Sequence, residues 1–356
     1  MAITIEKQQE DRTGAFGRNV IVASTDDGNL KRFKYELERN DVVVSAQYAP
    51  IFAYQGEVTL GDPRGIFQVS GLYSSLLGSY NNPIKGVSGN FTQIDAFNHQ
   101  KTIKDRIIED KDGGAEWTRN RVIFKAVDVK FRDEWSLDGD IETLHYTPFL
   151  LNKNNRAIRE AFSGQYIPFS YYTDYDNTGK YIQIVNADGT SNIGLSNIPQ
   201  KFRVATFRVD TNHSYNEIKI SDSNTVLELI VDFTEYDRPK SLYFLNKNGG
   251  WEWYNFIDYE ATQRVDKNQL TKYINHEGDE EIQQQINNSE IELKLYGKQV
   301  NYESIFYLKD LLTSPIVLDE NGDRVRVLNN NFQYVGEGLV EPELTIRYLK
   351  EDVINY

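Results

Sequence analysis

Tyr 23, Phe 18 and Trp 4 make 13% of this chain aromatic, against one Met and 9 Pro. Large aromatic and β-branched side chains suit a pleated, half-buried surface better than a helix, where the preceding turn crowds them. The expected fold class is therefore mainly β, as β-sandwich or α+β, multi-domain, with a few short helices. At 356 residues, a prior of roughly 150 residues per domain allows two or three domains with their own cores. Hydrophobic residues at 39% and charged residues at 26% match ordinary globular chains, so most of this one is expected to fold.

Charge and cysteine content narrow the function. Asp+Glu 53 against Lys+Arg 39 give a formal net charge of -14, which argues against binding duplex DNA or anionic membranes through phosphate contacts. Cys 0 removes disulfides, thiolate metal sites and cysteine nucleophiles, and points to assembly in a reducing cytosol or to indifference to redox state. The opening MAITIEKQQEDRTG has no basic and apolar signal pattern, and no run of about 18 apolar residues follows. A soluble protein without membrane insertion is expected.

Three segments emerge along the chain: 1–110, β-rich with one short helix; 111–200, a β-rich middle or insertion; and 201–356, α+β. In the first, Asn19–Ser24, Phe33–Glu38 and Asp41–Ala46 read as strands of a meander, divided by the turn residues Asp26-Asp27-Gly28-Asn29 and Asn40-Asp41. Val69, Leu72, Tyr73, Leu76 and Leu77 recur at helical spacing before Gly78-Ser79. Asn81–Gly89 and Asp110–Gly114 suit connections. The middle holds a strand-like Val122–Val129, a single-turn helix around Arg156–Phe162, and the tyrosine-rich tract Tyr166–Tyr175. In the last, Phe202–Val209, Glu217–Ile220, Val226–Phe233 and Leu242–Leu245 read as strands. Asn246–Gly250 then forms a hairpin loop, and Trp251–Phe256 returns with aromatics on both faces. Tyr302–Leu312 places Ile305, Leu308 and Leu312 on one helical face and is ended by Pro315. The hairpin around Asp319–Asp323 and the alternating Glu343–Leu349 close the pattern.

Motifs with catalytic or cofactor chemistry are absent from the sequence. No phosphate-binding G-x-x-x-x-G-K-[ST], dinucleotide fingerprint or G-x-S-x-G elbow occurs, and His99, His145, His213 and His276 lie too far apart for a zinc-binding H-E-x-x-H. His276 beside Glu277 reads as a solvated loop pair. Asp319, Asn321 and Asp323 imitate a calcium loop, but Arg324 stands where glycine is needed and Asn330 where a bidentate glutamate closes the cage. Asp174, Asp176, Thr178 and Gly179 fail likewise at Val185. Both read as Asx-rich turns. Asp133, Glu134, Asp138, Asp140 and Glu142 cluster as a glycosidase pair would, yet among 53 acids they read as a solvated acidic face. No catalytic residue, metal site or cofactor is expected, and the chain is not read as an enzyme. Aromatic display is the positive signal. Trp251, Trp253, Tyr254 and Phe256 are the candidate interface, one face buried in the core and the other against another protein or, failing that, a stacked sugar.

The succession SLYFLNKNGGWEWYNF, a tyrosine-containing strand, YESIFYLKDLLTSPIVLDENGDRVRVL and ELTIRYL resembles virion structural proteins of tailed phages that infect Bacteroidota, crAss-like phages included. In that group a strand ending in Asn, a glycine turn and an aromatic strand precede a helix of the form L-x-x-L-L-x-S-P. Here these are Leu245-Asn246, Gly249-Gly250, Trp251–Phe256, and Leu308, Leu311, Leu312, Ser314 and Pro315. FKYELE through GIFQVSGLYSSLLG is similar to the leading β-domain of such proteins. The resemblance spans about 150 C-terminal residues and the first 80, and brings no catalytic residues. It implies a non-enzymatic virion protein, assembled in the bacterial host cytoplasm as a homo-oligomeric ring of the tail, collar or neck and contacting neighbouring virion proteins. An acidic wall would then let DNA pass without specific nucleic-acid binding. The alternatives are a carbohydrate-binding receptor-recognition tail appendage, stacking sugar on Trp251, Trp253 and the tyrosine tract, or a capsid or decoration protein.

Overall fold

The structure, a computed structural model, describes residues 3–7, 12–15, 18–26, 30, 32–50, 64–77, 82–95, 100–124, 141–143, 157–173, 181–194, 201–209, 212–220, 225–247, 249–266, 269–274, 280–285, 288–298, 300–301, 305–329 and 339–348. Among them are 27 strands and two short helices, paired into seven sheets of which one is a closed barrel. The fold is mainly β and multi-domain, with buried apolar residues gathered in three clusters.

The first cluster lies between two N-terminal sheets. Arg32–Arg39 and Val42–Pro50 form a hairpin whose two-residue turn, Asn40-Asp41, has φ of 50 and 59. Positive φ at both positions is the type I′ geometry that matches strand twist, and Asn and Asp tolerate it better than most residues. Gln100–Glu109 pairs with Arg32–Arg39, Glu116–Phe124 pairs with Gln100–Glu109, and Arg12–Gly14 runs parallel beside Glu116–Phe124. Val20–Thr25 does not continue this sheet as a meander would. It lies between Ile3–Lys7 and Arg64–Gln68 in a sheet of its own, because Ile21 and Ala23 bury against the face that Phe33, Tyr35 and Leu37 present. The helix α1 (Ser70–Leu76) buries Tyr73 in the same cluster, flanked by Val69 and Leu77. This is the stripe expected from its spacing.

The second cluster joins two middle sheets. In one, Tyr166–Thr173 pairs with Ile141–Thr143 and Lys201–Arg208, which also pairs with Phe91–Asp95. In the other, Ala157–Phe162, Thr225–Asp232, Tyr215–Ile220, Tyr181–Asn186 and Gly189–Gly194 lie in that order. The helical turn expected around Arg156–Phe162 is instead a strand, parallel to Thr225–Asp232. The parallel ladder overrides a short local pattern, and Arg159 and Ala161 turn inward as period two requires. Strand pairing crosses the positions 110 and 200 that divide the sequence, since Glu116–Phe124 completes the N-terminal sheet and Lys201–Arg208, Tyr215–Ile220 and Thr225–Asp232 complete the middle ones.

The barrel holds the third cluster. Lys240–Leu245, Trp251–Asp266, Asn288–Gly297, Glu343–Tyr348, Arg324–Val327 and Val317–Leu318 close on themselves. The helix α2 (Ile305–Thr313) adds Leu308 and Leu311 to the cluster of Leu242, Phe244, Tyr254, Phe256, Leu293, Leu295, Leu344 and Ile346. Outward-facing Tyr243, Leu245, Trp251 and Trp253 join the middle sheets' cluster, with Ile167, Phe169, Val204 and Phe207. A strand buried on both faces is apolar wherever its side chains have no polar partner, which explains the unbroken run Leu242, Tyr243, Phe244 and Leu245.

The hairpin from Leu245 to Trp251 turns on Asn246. Its carbonyl accepts the Gly249 N–H at 3.0 Å, its N–H donates to the Gly250 carbonyl at 2.8 Å, and its Oδ1 accepts the Gly250 N–H at 2.9 Å. Gly249 sits at φ 88, a region closed to β-branched residues. Gly249→Val is therefore expected to destabilise the fold by about 1–3 kcal/mol, and Gly249→Asn by less. Urea unfolding compares them, and equal midpoints for wild type and Gly249→Val would remove the φ requirement.

Candidate functional site

Each residue expected at an interface lies inside the chain. Trp251 is 0% exposed, Trp253 1%, Tyr254 6% and Phe256 0%. Tyr254 and Phe256 fill the barrel, their rings edge to face at 4.9 Å, whereas Trp251 and Trp253 are covered by the middle sheets. The second face of this strand, assigned above to a protein partner or a sugar, is instead taken up by the chain's own middle sheets. A strand in a large multi-sheet chain can find both covers internally.

That internal contact is polar as well as apolar. The Trp253 indole N–H donates to the Glu160 carbonyl at 2.9 Å. Asn255 Oδ1 accepts from Ser241 Oγ at 2.8 Å and from Gln165 Nε2 at 3.0 Å, and the Asn255 amide returns a bond to Gln165 Oε1 at 2.9 Å. The Tyr243 hydroxyl donates to the Tyr166 carbonyl at 2.8 Å. The barrel is thereby keyed to the turn between Phe162 and Tyr166, and satisfied buried polar groups fix a single register where apolar contact alone would permit sliding. The fully buried Arg159–Glu252 pair, at 3.2 Å, and Lys298, which ion-pairs with both Glu160 and Asp232, add two ionic ties between the same parts. Burial pushes the Asp232 carboxyl up, but the Lys298 ammonium, the Thr234 N–H and the Tyr236 hydroxyl outweigh it and hold the group well below the usual carboxylate range.

In the N-terminal core, Asp105 accepts hydroxyl protons from Tyr35 at 2.7 Å and Tyr73 at 2.9 Å and pairs with Arg121, both charged side chains being 0% exposed. Burial raises both tyrosines well above their ordinary range, reinforced by the Asp105 charge. The hydroxyls therefore stay protonated and donate.

Asp310 is a buried carboxyl pushed well above its ordinary range. Burial in α2 raises it to about 6; the Lys247 N–H at 3.1 Å partly opposes this and the Glu252 charge adds to it. With the folded value above the ordinary 3.8, the native state holds this proton more tightly than the unfolded chain. Its contribution is thus most favourable in acid and is lost as pH rises from about 4 through 6, at a cost near 3 kcal/mol. Asp310→Asn keeps an acceptor for Lys247 and removes the charge. It should stabilise the fold by up to about 3 kcal/mol at pH 8 and by little at pH 4, read as the difference in urea midpoint from wild type. A pH-independent difference would contradict the assignment.

The remaining sequence candidates have structural work or lie outside the described residues. Asp319 Oδ1 accepts the N–H groups of Asn321 at 2.9 Å and Asp323 at 2.8 Å, and its Oδ2 accepts from Tyr348 at 3.1 Å, an Asx turn. Among the described residues no group of three or more His, Asp or Glu side chains is placed to hold a metal. No described helix is long and apolar enough to cross a membrane. His276, the Asp174–Gly179 tract and Asp133 to Asp140 lie outside the described residues, Glu142 is described only as part of the strand Ile141–Thr143, and the tyrosine tract is described as the strand Tyr166–Thr173.

Sequence reasoning missed the surface. Val42, Val43, Val44 and Tyr48, on the strand Val42–Pro50 at one edge of the N-terminal sheet, are 62%, 43%, 44% and 52% exposed. The uncharged run VVVSAQYAP was the signal that marked it.

No protein-family model matches the chain, and neither does any curated protein. Among solved structures, it is similar to the fibronectin(III)-like modules of Clostridium thermocellum CbhA, at 10% identity over 65% of this chain and 94% of that one, with a TM-score of 0.16. A teleost fish polymeric Ig receptor ectodomain shares 7% identity over 66% of this chain and 100% of its own, with a TM-score of 0.21. Domains 4–9 of the surface layer protein SbsC share 11% over 92% of this chain and 54% of theirs, at 0.18. These scores are too low for the likeness to bear on fold or function, and no family is assigned.

Proposed function

We propose that the chain is a non-enzymatic structural subunit of a tailed-phage virion, a homo-oligomeric component of the tail, collar or neck. The observation that supports this most is the use made of its reactive side chains. Glu252 with Arg159, and Lys298 with Glu160 and Asp232, are spent on bracing the barrel against the middle sheets, and Asp105 with Arg121 ties two neighbouring strands of one N-terminal sheet. Buried ion pairs such as Asp105–Arg121 and Glu252–Arg159 contribute specificity of packing more than net stability, which suits a part that must keep one shape among identical neighbours. The phage assignment itself rests on the resemblance of the C-terminal segments. Sugar stacking on Trp251 and Trp253 is not proposed, because neither ring reaches solvent. Electron micrographs and native mass spectra of the purified protein test the reading: closed particles of uniform copy number are expected. A strict monomer at all concentrations, or turnover of a small substrate, would end it.

A further inference from the structure

The strand Val42–Pro50 pairs on one side with Arg32–Arg39, and its other edge has no strand partner among the described residues. Such an edge offers a row of backbone donors and acceptors to any second strand, and stable monomers usually guard it with lysine or another charge. Here nine residues pass without a single Asp, Glu, Lys or Arg. Val44 alone is skipped in the pairing with Arg32–Arg39, a single bulge, and Ser45 to Pro50 run regularly.

The charge around the edge identifies what can approach it. Next to it, on the outer face of the sheet, Lys34, Lys104 and Arg106 are matched against Glu36, Glu38 and Glu116, with Lys104–Glu38 at 2.9 Å, Arg106–Glu36 at 3.1 Å and Arg106–Glu116 at 2.7 Å. Three cations against three carboxylates leave this region neutral on a chain of net charge -14. Two copies of such an acidic chain repel each other generally, but meet here without opposing like charges.

We propose that a second copy of this chain docks on the edge, the two Val42–Pro50 strands running antiparallel with Ala46 beside the two-fold axis. In that register Val44 of one copy faces Tyr48 of the other, twice, an aromatic and β-branched pair of the kind that stabilises sheets, while small Ala46 faces itself. The two five-stranded sheets become one. The contact rests on the reading of the chain as a self-associating structural subunit and names one surface through which it associates. A two-fold contact closes on itself, so any ring needs a further, heterologous surface.

The absence of native cysteine makes the test direct. Facing residues in an antiparallel pair stand about 4.5–5.5 Å apart at Cα, inside the range a disulfide bridges. Full-length Ala46→Cys, oxidised mildly at about 100 μM because a strand pair alone buries less than a standard interface, should give a covalent dimer on non-reducing gels. Asp112→Cys, exposed on the hairpin at the far end of Gln100–Glu109, should not. Val44→Lys should abolish wild-type dimers in sedimentation velocity while leaving the thermal melt unchanged. Failure of Ala46→Cys to cross-link above the Asp112→Cys background overturns the contact, as does wild-type association untouched by Val44→Lys. The two readings fail separately: rings without the Ala46→Cys dimer overturn the edge contact alone, and cross-linked dimers that assemble no further support it and overturn the ring.

Discussion

Arg121→Met is expected to cost the fold about 3–5 kcal/mol, the usual penalty for removing one partner of a fully buried ion pair. Arg121 and Asp105 are both 0% exposed as side chains, so methionine would fill much of the volume yet leave the Asp105 carboxylate in the core with only the hydroxyls of Tyr35 and Tyr73 to stabilise it. Adding Asp105→Asn should recover part of the loss, since the amide oxygen still accepts a tyrosine hydroxyl and no unpaired charge remains in the core. Urea unfolding of wild type and the two variants measures this. A deficit of Arg121→Met under about 1 kcal/mol would show that the pair does not hold Gln100–Glu109, Glu116–Phe124 and α1 together as described.

Trp253→Ala should lose about 3–5 kcal/mol, the range for truncating a buried tryptophan. The side chain is 1% exposed among the middle sheets' apolar residues, and its indole N–H ends on the Glu160 carbonyl at 2.9 Å. The substitution opens a cavity at the contact between barrel and middle sheets and removes one of the bonds that set their register. Trp253→Phe, which keeps most of the apolar volume, should lose less. The outcome also separates two locations for this residue. A tryptophan on an oligomer surface would change particle size while sparing the melt of the subunit, whereas the observed burial predicts that the melt falls first. An unchanged melt would contradict the burial.

Much of the secondary structure was legible because it is written in neighbouring residues. The helix α1 followed from Val69, Leu72, Tyr73, Leu76 and Leu77. The α2 stretch ended where Pro315 approached, and the 246–250 turn announced itself in Asn and Gly. Ala157–Phe162 misled because six residues are too few for period two to stand clear of a helical turn, and its partner strand lies about 70 positions on, at Leu227–Asp232. The candidate interface misled for a different reason. Two apolar faces on one strand say that both must be covered, but nothing local says by what. The exposed Val42–Val44 edge was read only as a strand, since exposure depends on which strands a neighbour fails to bring.

What the residues determined alone is thus the class of the fold, the position of strands such as Val20–Thr25, Arg32–Arg39, Lys240–Leu245 and Glu343–Tyr348, the turns between them and both helices, because alternation, turn chemistry and helical spacing act over a few residues. Only the tertiary structure decided that Lys240–Leu245 through Glu343–Tyr348 close into a barrel around Phe244 and Phe256, and that Trp251 and Trp253 are sealed by the middle sheets. It likewise decided that Asp105 meets Arg121 between two tyrosines. Those outcomes depend on contacts between residues tens of positions apart. Their energies come from packing and desolvation at a shared place, and that place exists only once the chain has folded.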